Sequence, residues 1–285
     1  MGSDISLSQI KVFRRKTYRP GAIGTRAEAI AFVRKRGFVY FWPIQGVELP
    51  SLWVSVAGDR PVPSEHDDAG HVTWGWKDSL LGKRRWYYAK LLRKKATLVA
   101  LEAAPYFYAL TENYGSLEED YLIQYEAGRM TQEAKRIYEA LLKEGPLDTV
   151  ALRRAAWLSS DEGKSSFDRA LLELQAEMKI LPVGVAEAGA WHYAFIFDLV
   201  PRHLPELPEQ ARQITEPQAR AKLLELYFRS VGAAPPGEIR KLFGWRKPEL
   251  DQALEGLLAA RVLQAGVSVG SGREQWLALA DRARW

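Results

Sequence analysis

A pattern of three helical segments followed by two short apolar segments occurs twice in the C-terminal half of the chain. In the first copy, Thr131 is the expected N-cap of the first helix, and Gly145-Pro146 ends it. Asp148 or Thr149 is the expected cap of the second helix. The apolar spacing predicts helices at residues 131–142, 148–156 and 165–178, and strands at residues 180–185 and 191–200. Three helices followed by a hairpin are the element order of a winged helix.

The second copy follows at residues 216–279. Pro235-Pro236 and Lys247-Pro248 are typical of helix starts, because a proline in the first helical turn loses no intrahelical hydrogen bond. The pattern predicts helices at residues 216–230, 236–243 and 247–258, and strands at residues 262–269 and 275–279 around a turn at 270–272. Two consecutive copies predict a mainly α fold with small β-wings, built from tandem winged-helix modules.

The remaining segments are less regular. The prolines of residues 201–217 indicate a linker with little regular structure. In the first third, the apolar spacing predicts elements at residues 26–36, 48–56, 79–93, 96–101 and 102–110, with a long turn-rich loop at 57–73. These elements are consistent with a third, decorated winged helix. We therefore expect three domains: a basic module at 1–125, a second winged helix at 126–205 and a third at 206–285.

Charge is unevenly distributed along the chain of 285 residues, whose net charge is +5. Residues 1–95 carry 18 Lys/Arg and 8 Asp/Glu, whereas residues 96–285 carry 22 and 27. A basic third joined to an acidic remainder is what a polyanion-binding face would produce. The alternative is a solvated surface on which the cations are simply unevenly placed.

Composition also limits the chemistry and the location that we expect. The chain has no cysteine, which excludes disulfides, thiolate catalysis and cysteine-ligated metal sites. No segment approaches the roughly 18–20 uninterrupted apolar residues of a membrane helix, and the N-terminus lacks a signal-peptide pattern. We expect a cytoplasmic, nucleoid-associated protein that is a monomer and has no cofactor.

The strongest local signal is the basic–aromatic tract at residues 74–95. Its cations suit phosphates, and its aromatic faces suit stacking on an unpaired base. The tract contains Trp74, Trp76, Lys77, Lys83, Arg84, Arg85, Trp86, Tyr87, Tyr88, Lys90, Arg93, Lys94 and Lys95. Alternatively, its apolar residues are core and its cations face solvent. A second tract near the N-terminus contains Lys11, Arg14, Arg15, Lys16 and Arg19, and is either a basic arm along phosphates or a solvated helix end.

Several short motifs, in the same order along the chain, resemble the AlkZ-like (YcaQ-type) winged-helix DNA glycosylases. They are Gly37-Phe38-Val39 with Pro43-Ile44, Gly145-Pro146-Leu147, residues 193–205 (YAFIFDLVPRHLP) and residues 226–232. The resemblance implies tandem winged helices, double-stranded DNA as the partner, and excision of alkylated bases or unhooking of interstrand crosslinks.

The resemblance also marks candidate catalytic positions, at which this chain departs from the family. Where the family has a Gln-x-Gln or Gln-x-Asp pair that positions the attacking water, this chain has Tyr40 and Trp42. The family's His-Glu pair falls on Lys94 and Lys95, and its Asn position falls on Gln45. Orienting a water needs acceptors, whereas Trp and Lys offer only donors.

These observations leave three hypotheses. The first is a DNA-repair-type protein that binds alkylated, crosslinked or distorted duplex. The second is an active glycosylase with a relocated water activator, for which Glu48, Glu102 and Asp67 are candidates. The third is a winged-helix transcriptional regulator, against which the acidic residues of both predicted third helices argue.

One further cluster has side chains that could hold a metal ion. Glu65, His66, Asp67, Asp68 and His71 lie close together in the loop at 57–73. Their spacing matches no metal-binding signature, and acidic residues are common in exposed loops. We therefore expect no metal site.

Overall fold

The structure is a computed structural model that describes residues 5–21, 23–65, 67–267, 269 and 275–281. The fold is mainly α-helical with three small antiparallel sheets, as the sequence predicts. Helix α1 spans Leu7–Tyr18 and precedes the first of three units that share one element order. None of the helices in the described part of the chain is long and apolar enough to cross a membrane.

The first unit contains α2 (Arg26–Arg36), β1 (Phe38–Tyr40), α3 (Leu52–Ala57), α4 (Val72–Leu80), β2 (Tyr87–Lys90) and β3 (Ala96–Val99). Two short helices follow it, α5 (Ala104–Tyr108) and α6 (Asp120–Glu126). The second unit contains α7 (Gln132–Glu144), β4 (Leu147–Asp148), α8 (Thr149–Ala155), α9 (Asp161–Ala176), β5 (Ile180–Ala186) and β6 (Ala194–Leu199).

Helices α10 (Val200–His203) and α11 (Glu206–Arg212) connect the second unit to the third. The third unit contains α12 (Glu216–Val231), β7 (Ala233–Ala234), α13 (Pro236–Phe243), α14 (Lys247–Ala259), β8 (Leu263–Val267) and β9 (Trp276–Leu279). In each unit the last strand lies between the other two, in the orders β1-β3-β2, β4-β6-β5 and β7-β9-β8. All of these pairings are antiparallel.

Local capping explains why the elements of the second unit begin where they do. The Thr131 hydroxyl accepts a hydrogen bond from the Ala134 amide, and the Asp148 carboxylate accepts two from the first turn of α8. Thr131 was predicted as a cap, and Asp148 was one of the two caps predicted for α8. Helix α9, however, begins at Asp161 rather than near Ser165, because the Ser160 hydroxyl already caps it by accepting from the Gly163 amide at 3.1 Å.

Two predictions of local structure are wrong. Residues 79–93 are not one element: α4 ends at Leu80, and the chain continues as a turn and then as strand β2. Residues 201–217 are not an irregular linker, since they contain α10 and α11. Pro201 lies in the first turn of α10, where a missing amide hydrogen costs nothing. Arg202 further fixes α10 by donating to the Leu141 and Leu142 carbonyl groups at the end of α7.

The cores of the units are connected. One buried cluster joins the first and third units, and a second cluster fills the interior of the second unit. Gly37, with φ of 82°, ends α2 beside Leu226 of α12; a Cβ at this position would lie 2.7 Å from the Leu226 side chain. Helix α1 packs against the third unit through Ile10, and Ile5 forms a parallel bridge with Val269. The first and third units therefore share one continuous core.

Candidate nucleic-acid interface

An aromatic surface lies where α4 of the first unit meets strand β6 of the second. Trp74 on α4 is 38% exposed, which makes it the most accessible aromatic side chain of the basic–aromatic tract. Its ring lies 6.0 Å from the half-buried Trp42 and 5.9 Å from Tyr193, measured between centroids. The two indole planes are inclined by 56° to each other, so a flat ligand could stack on the exposed Trp74 ring while Trp42 borders it. We call Trp42 and Trp74 the tryptophan pair.

Beneath Trp74, the side chain of Lys77 is buried among aromatic rings. Its Nζ lies 4.8 Å from the Trp74 ring centroid and 4.5 Å from that of Phe195. The Phe41, Tyr88 and Tyr193 centroids lie within 5.6 Å of the same atom. The ammonium group is thus held by ring faces from both the first and the second unit. We call this arrangement the Lys77 cluster.

Asp78 and Tyr193 complete the polar contacts of the cluster. The Lys77 ammonium donates to the Tyr193 hydroxyl at 3.0 Å, and that hydroxyl donates to the Asp78 carboxylate at 2.9 Å. Lys77 and Asp78 also form an ion pair at 2.7 Å. Burial lowers the pKa of Lys77, and Asp78 opposes this shift; burial and the Asp78 carboxylate raise the pKa of Tyr193.

Exposed cations lie beyond the C-terminal end of α4. Lys83, Arg84 and Arg85 are exposed in the turn that leads to β2. Arg84 approaches Glu206 of α11 at 3.9 Å, whereas Lys83 and Arg85 form no ion pair with any described residue. The turn is held against the second unit at Gly82, where a Cβ would lie 2.5 Å from the Val183 carbonyl oxygen. Two unpaired cations are therefore held in place beside the second unit.

A second group of cations lies in the connection between β2 and β3, the wing of the first unit. Lys90, Arg93, Lys94 and Lys95 are all exposed there. The wing packs beside α9: the Lys90 amide donates to the Gln175 side chain, and Lys94 lies 4.0 Å from Glu173. Arg93 and Lys94 have φ of 52° and 57°, so the wing turns through a left-handed backbone.

The other two tryptophans of the tract, which were also predicted to contact DNA, lie in the interior. Trp76 is 8% exposed and Trp86 is 5% exposed. Both belong to the core that joins the first and third units. We therefore leave them, and the buried Lys77, out of the surface that we propose for DNA.

Tyr40 and Trp42 lie in different surroundings. Strand β1 ends at Tyr40, so the alternation of side chains between the two faces of a strand does not extend to Trp42. Tyr40 is fully buried, and its hydroxyl has no hydrogen-bond partner among the described residues. Burial raises the pKa of Tyr40 to about 12, and the nearby Arg93 opposes this shift. The Trp42 ring instead contacts Trp53 and His71, with centroids 5.2 and 5.9 Å away.

Glu48 and Arg14 bind each other where α1 meets the third unit. Arg14 pairs with Glu48 at 2.8 Å and donates to the Val231 and Ala233 carbonyl groups after α12. The Tyr18 hydroxyl also donates to Glu48, at 3.4 Å. Arg14 thus connects α1 to the third unit. Its neighbours Arg15 and Lys16 are exposed on α1.

The other candidate catalytic side chains are also separate from the Lys77 cluster. Glu102 is exposed and pairs with Arg34 of α2 at 2.5 Å. Gln45 is exposed in the turn after β1. In the acidic loop, Asp68 pairs with Arg60 at 2.6 Å and accepts from the Gly70 amide, while His66 lies outside the described residues. Within the described ranges, no three His, Asp or Glu side chains form a group that could hold a metal ion.

Sequence reasoning overlooked Asp78, Tyr193 and Phe195 as members of this site. Tyr193 and Phe195 are more than a hundred residues from α4, so local patterns could not connect them. A signal did exist for the orientation of α4: Thr73, Trp76, Lys77 and Leu80 follow helical spacing, which places Lys77 on the inner face. A charged residue on an apolar face requires a partner, and the adjacent Asp78 provides it.

Comparison with known proteins gives a family for this fold. The AlkZ-related family model matches residues 23–244, which include the first two units and the start of the third unit as far as α13. The chain belongs to the AlkZ-related family. Among solved structures, it is similar to the Streptomyces sahachiroi DNA glycosylase AlkZ, with a TM-score of 0.58 and 15% sequence identity over 99% of this chain and 71% of that chain. This likeness extends the agreement in fold to nearly the whole chain. No curated protein sequence matches the chain.

Proposed function

We propose that this chain is a DNA-repair-type protein that binds double-stranded DNA and recognises an alkylated, crosslinked or otherwise distorted site. The observation that carries the proposal is the tryptophan pair, whose Trp74 lies on α4, together with Lys83 and Arg85 in the turn after α4, which are exposed and have no ion pair among the described residues. Phosphate contacts by cations supply affinity, and an exposed aromatic surface favours bases that have lost their stacking partner. Membership of a family related to a DNA glycosylase supports the same conclusion.

The three units divide this work between them in the proposal. We interpret each unit as a winged helix, with domains at 1–125, 126–205 and 206–285. The first contributes the tryptophan pair, the turn at 83–85 and the wing cations. The other two support it, because α9 packs on the first unit's wing and α1 with α12 supports its sheet side. A monomer suffices for this arrangement, and we propose that it acts in the cytoplasm at the nucleoid.

Neutralising the turn tests the duplex interface. In Lys83/Arg84/Arg85→Ala, we expect duplex affinity to fall at least tenfold at moderate salt. The slope of log K against log salt should become shallower by up to about 2.7, because each lost phosphate contact removes about 0.9. Fluorescence anisotropy with one labelled blunt duplex at several salt concentrations measures both quantities.

A matched variant removes the same charge from the third unit. Lys222, Arg229 and Lys247 form ion pairs within their own helices, and their replacement by Ala changes the net charge equally. This control should change duplex affinity less than threefold. Equal losses in the two triple variants would mean that overall charge, not the turn at 83–85, attracts DNA, and would contradict the proposed interface.

Base excision is a second candidate function, and Asp78 is the observation that favours it. Its carboxylate is 17% exposed and is the acidic group hydrogen-bonded within the Lys77 cluster. Glu48 and Glu102 are instead paired with arginines elsewhere. Hydrolysis of the glycosidic bond of a cationic N7-alkylpurine needs little leaving-group acid, so one positioned carboxylate can suffice to orient water.

Base release from a duplex with N7-alkylguanine or an interstrand crosslink, with protein in excess over DNA, tests excision. Release that is lost in Asp78→Asn, while duplex binding persists, would support hydrolysis at this carboxylate. Release that persists in Asp78→Asn and is lost in Glu48→Gln or Glu102→Gln would assign the hydrolysis to Glu48 or Glu102 instead. If the protein binds the duplex and releases no base, it is a DNA-binding protein without excision activity.

The alternative class is a transcriptional regulator whose third helices read an operator. The C-terminal end of helix α9 is not free for this role, because Glu173 and Gln175 contact the wing of the first unit. A regulator would bind one sequence strongly and distorted duplex no better than plain duplex. The proposed function requires the opposite preference.

A further inference from the structure

The second unit contains a groove that the proposed duplex interface does not use. It has a volume of about 680 Å³ and lies between α7, the end of α8 and the turn that precedes α9. Small ligands generally occupy pockets of about 300–1,000 Å³, so the groove has room for a nucleotide. Its lining includes Arg136, Lys143, Arg154 and Trp157. We call it the Trp157 groove.

Trp157 is oriented toward solvent by its backbone. It is 85% exposed, although its neighbours Ala156 and Leu158 are buried. Its φ is 59°, a left-handed conformation that is unfavourable for a residue with a side chain. Arg153 stabilises this turn by donating to the Leu158 and Ser159 carbonyl groups at 3.1 and 3.2 Å. The indole is therefore presented on a fixed turn rather than on a free chain.

The cations of the groove have no acidic partners. Arg136, Lys143 and Arg154 are exposed and form no ion pair with any residue in the described ranges. Of the two glutamates in the lining, Glu139 is already paired with Lys135 at 2.6 Å, which leaves Glu144. Among its described lining side chains, the groove thus combines an exposed aromatic face with more cations than carboxylates. A ligand that matches both features is an aromatic anion.

We propose that the Trp157 groove binds an unpaired DNA segment, with one base stacked on Trp157 and the flanking phosphates held by Arg136, Lys143 and Arg154. The choice of DNA rests on the proposed function, whereas the groove itself selects a base next to phosphates. Stacking on one aromatic side chain and charge pairing with the backbone are the usual means of binding single strands. Such a site would hold a strand that is displaced when the duplex is distorted.

Binding of a labelled ten-nucleotide oligothymidylate, measured by anisotropy at low salt, tests this site. We expect Trp157→Ala to weaken binding about tenfold, within the range measured for loss of one stacked base. Arg136→Gln with Arg154→Gln should weaken it further. The matched control is Tyr114→Ala, which truncates another exposed aromatic side chain, 69% exposed, outside the groove. The affinity of Tyr114→Ala for the oligothymidylate should stay within twofold of that of wild type.

Two results would overturn the inference. One is Trp157→Ala behaving like Tyr114→Ala; the other is loss of binding in the arginine variant alone, which would indicate simple attraction of a polyanion. A blunt duplex separates this inference from the proposed function, because Trp157→Ala should leave duplex affinity unchanged while Lys83/Arg84/Arg85→Ala lowers it. Trp157-dependent oligothymidylate binding without any duplex binding would support the groove and contradict the proposed function.

Discussion

Helices α4 and α9 occupy the same place in their units, yet they present different surfaces. Helix α4 exposes Trp74 and buries a lysine among aromatic rings. Helix α9 turns its C-terminal end toward the first unit, where Glu173 and Gln175 contact the wing. The same element order therefore serves a candidate ligand surface in one unit and packing between units in the other.

This difference shows that the third helix of such a unit cannot be assigned to DNA by its position alone. The side chains that remain exposed after the units pack decide whether a third helix can contact DNA. In the first unit, the buried Lys77 and its ion-pair partner Asp78 lie behind the exposed Trp74 ring. In the second, an exposed pair of side chains bridges the two units. The two regions should consequently respond very differently to substitution.

The largest expected effect is on the free energy of unfolding, and it distinguishes Trp76 from Trp74, the two tryptophans of α4. Trp76→Ala should lower the free energy of unfolding by about 4 kcal/mol, because it empties a large space in the core. Trp74→Ala should lower it by about 1 kcal/mol or less, yet weaken binding to a mismatched duplex about tenfold. Urea denaturation and anisotropy measure these quantities. Equal losses of stability would mean that Trp74 belongs to the core and would remove it from the interface.

Lys77→Met should lower the free energy of unfolding by about 3 kcal/mol, since it leaves the Asp78 carboxylate without its buried partner. Replacing both residues, as Lys77→Met with Asp78→Asn, should recover most of this loss. A double-mutant cycle by urea denaturation measures the coupling. If the double variant is no more stable than Lys77→Met, the ion pair is not what the lysine contributes.

Tyr40→Phe should alter the response of stability to alkaline pH. The pKa of Tyr40 is raised to about 12 in the folded chain, whereas an unfolded tyrosine has a pKa of about 10. The unfolded chain therefore loses its proton first, and the stabilisation, complete below pH 10, is lost as pH rises to about 12. Between pH 8 and pH 11, wild type should lose about 1.4 kcal/mol more than Tyr40→Phe. Parallel pH profiles would show that this phenol ionises normally.

The smallest effect is expected at the contact between the units. Glu173→Gln removes a pair in which both side chains are partly exposed and 4.0 Å apart, so the free energy of unfolding should fall by less than about 0.5 kcal/mol. Thermal unfolding of Glu173→Gln, measured in parallel with Lys77→Met, compares the two losses of stability. A loss above 2 kcal/mol at Glu173 would abolish the distinction between the two regions.

Much of the fold follows from local patterns in the sequence. The caps at Thr131 and Asp148 and the proline starts at Pro236 and Pro248 define helix ends without tertiary information. The first unit was harder to predict because α4 is short and its aromatic residues continue into β2, which blurs the boundary. The helices at 200–212 were missed because prolines in first turns look the same in a sequence as prolines in a linker.

The candidate site was predicted less completely than the fold. The basic–aromatic tract identified the region, but its composition could not separate exposed Trp74 from buried Trp76. Helical spacing would have placed Lys77 inside, and only the tertiary structure brings Tyr193 to it. Trp157 gave no periodic signal, because its exposure depends on a left-handed turn between two buried neighbours.

The central claim is that duplex DNA lies on the first unit and not on the third helices of the others. Hydrogen–deuterium exchange with and without a saturating blunt duplex tests it most directly. We expect slower exchange at residues 72–95 and unchanged exchange at 161–176 and 247–259. Slower exchange in α9 and α14, with no change at residues 72–95, would contradict this account and favour a protein that reads DNA with those helices.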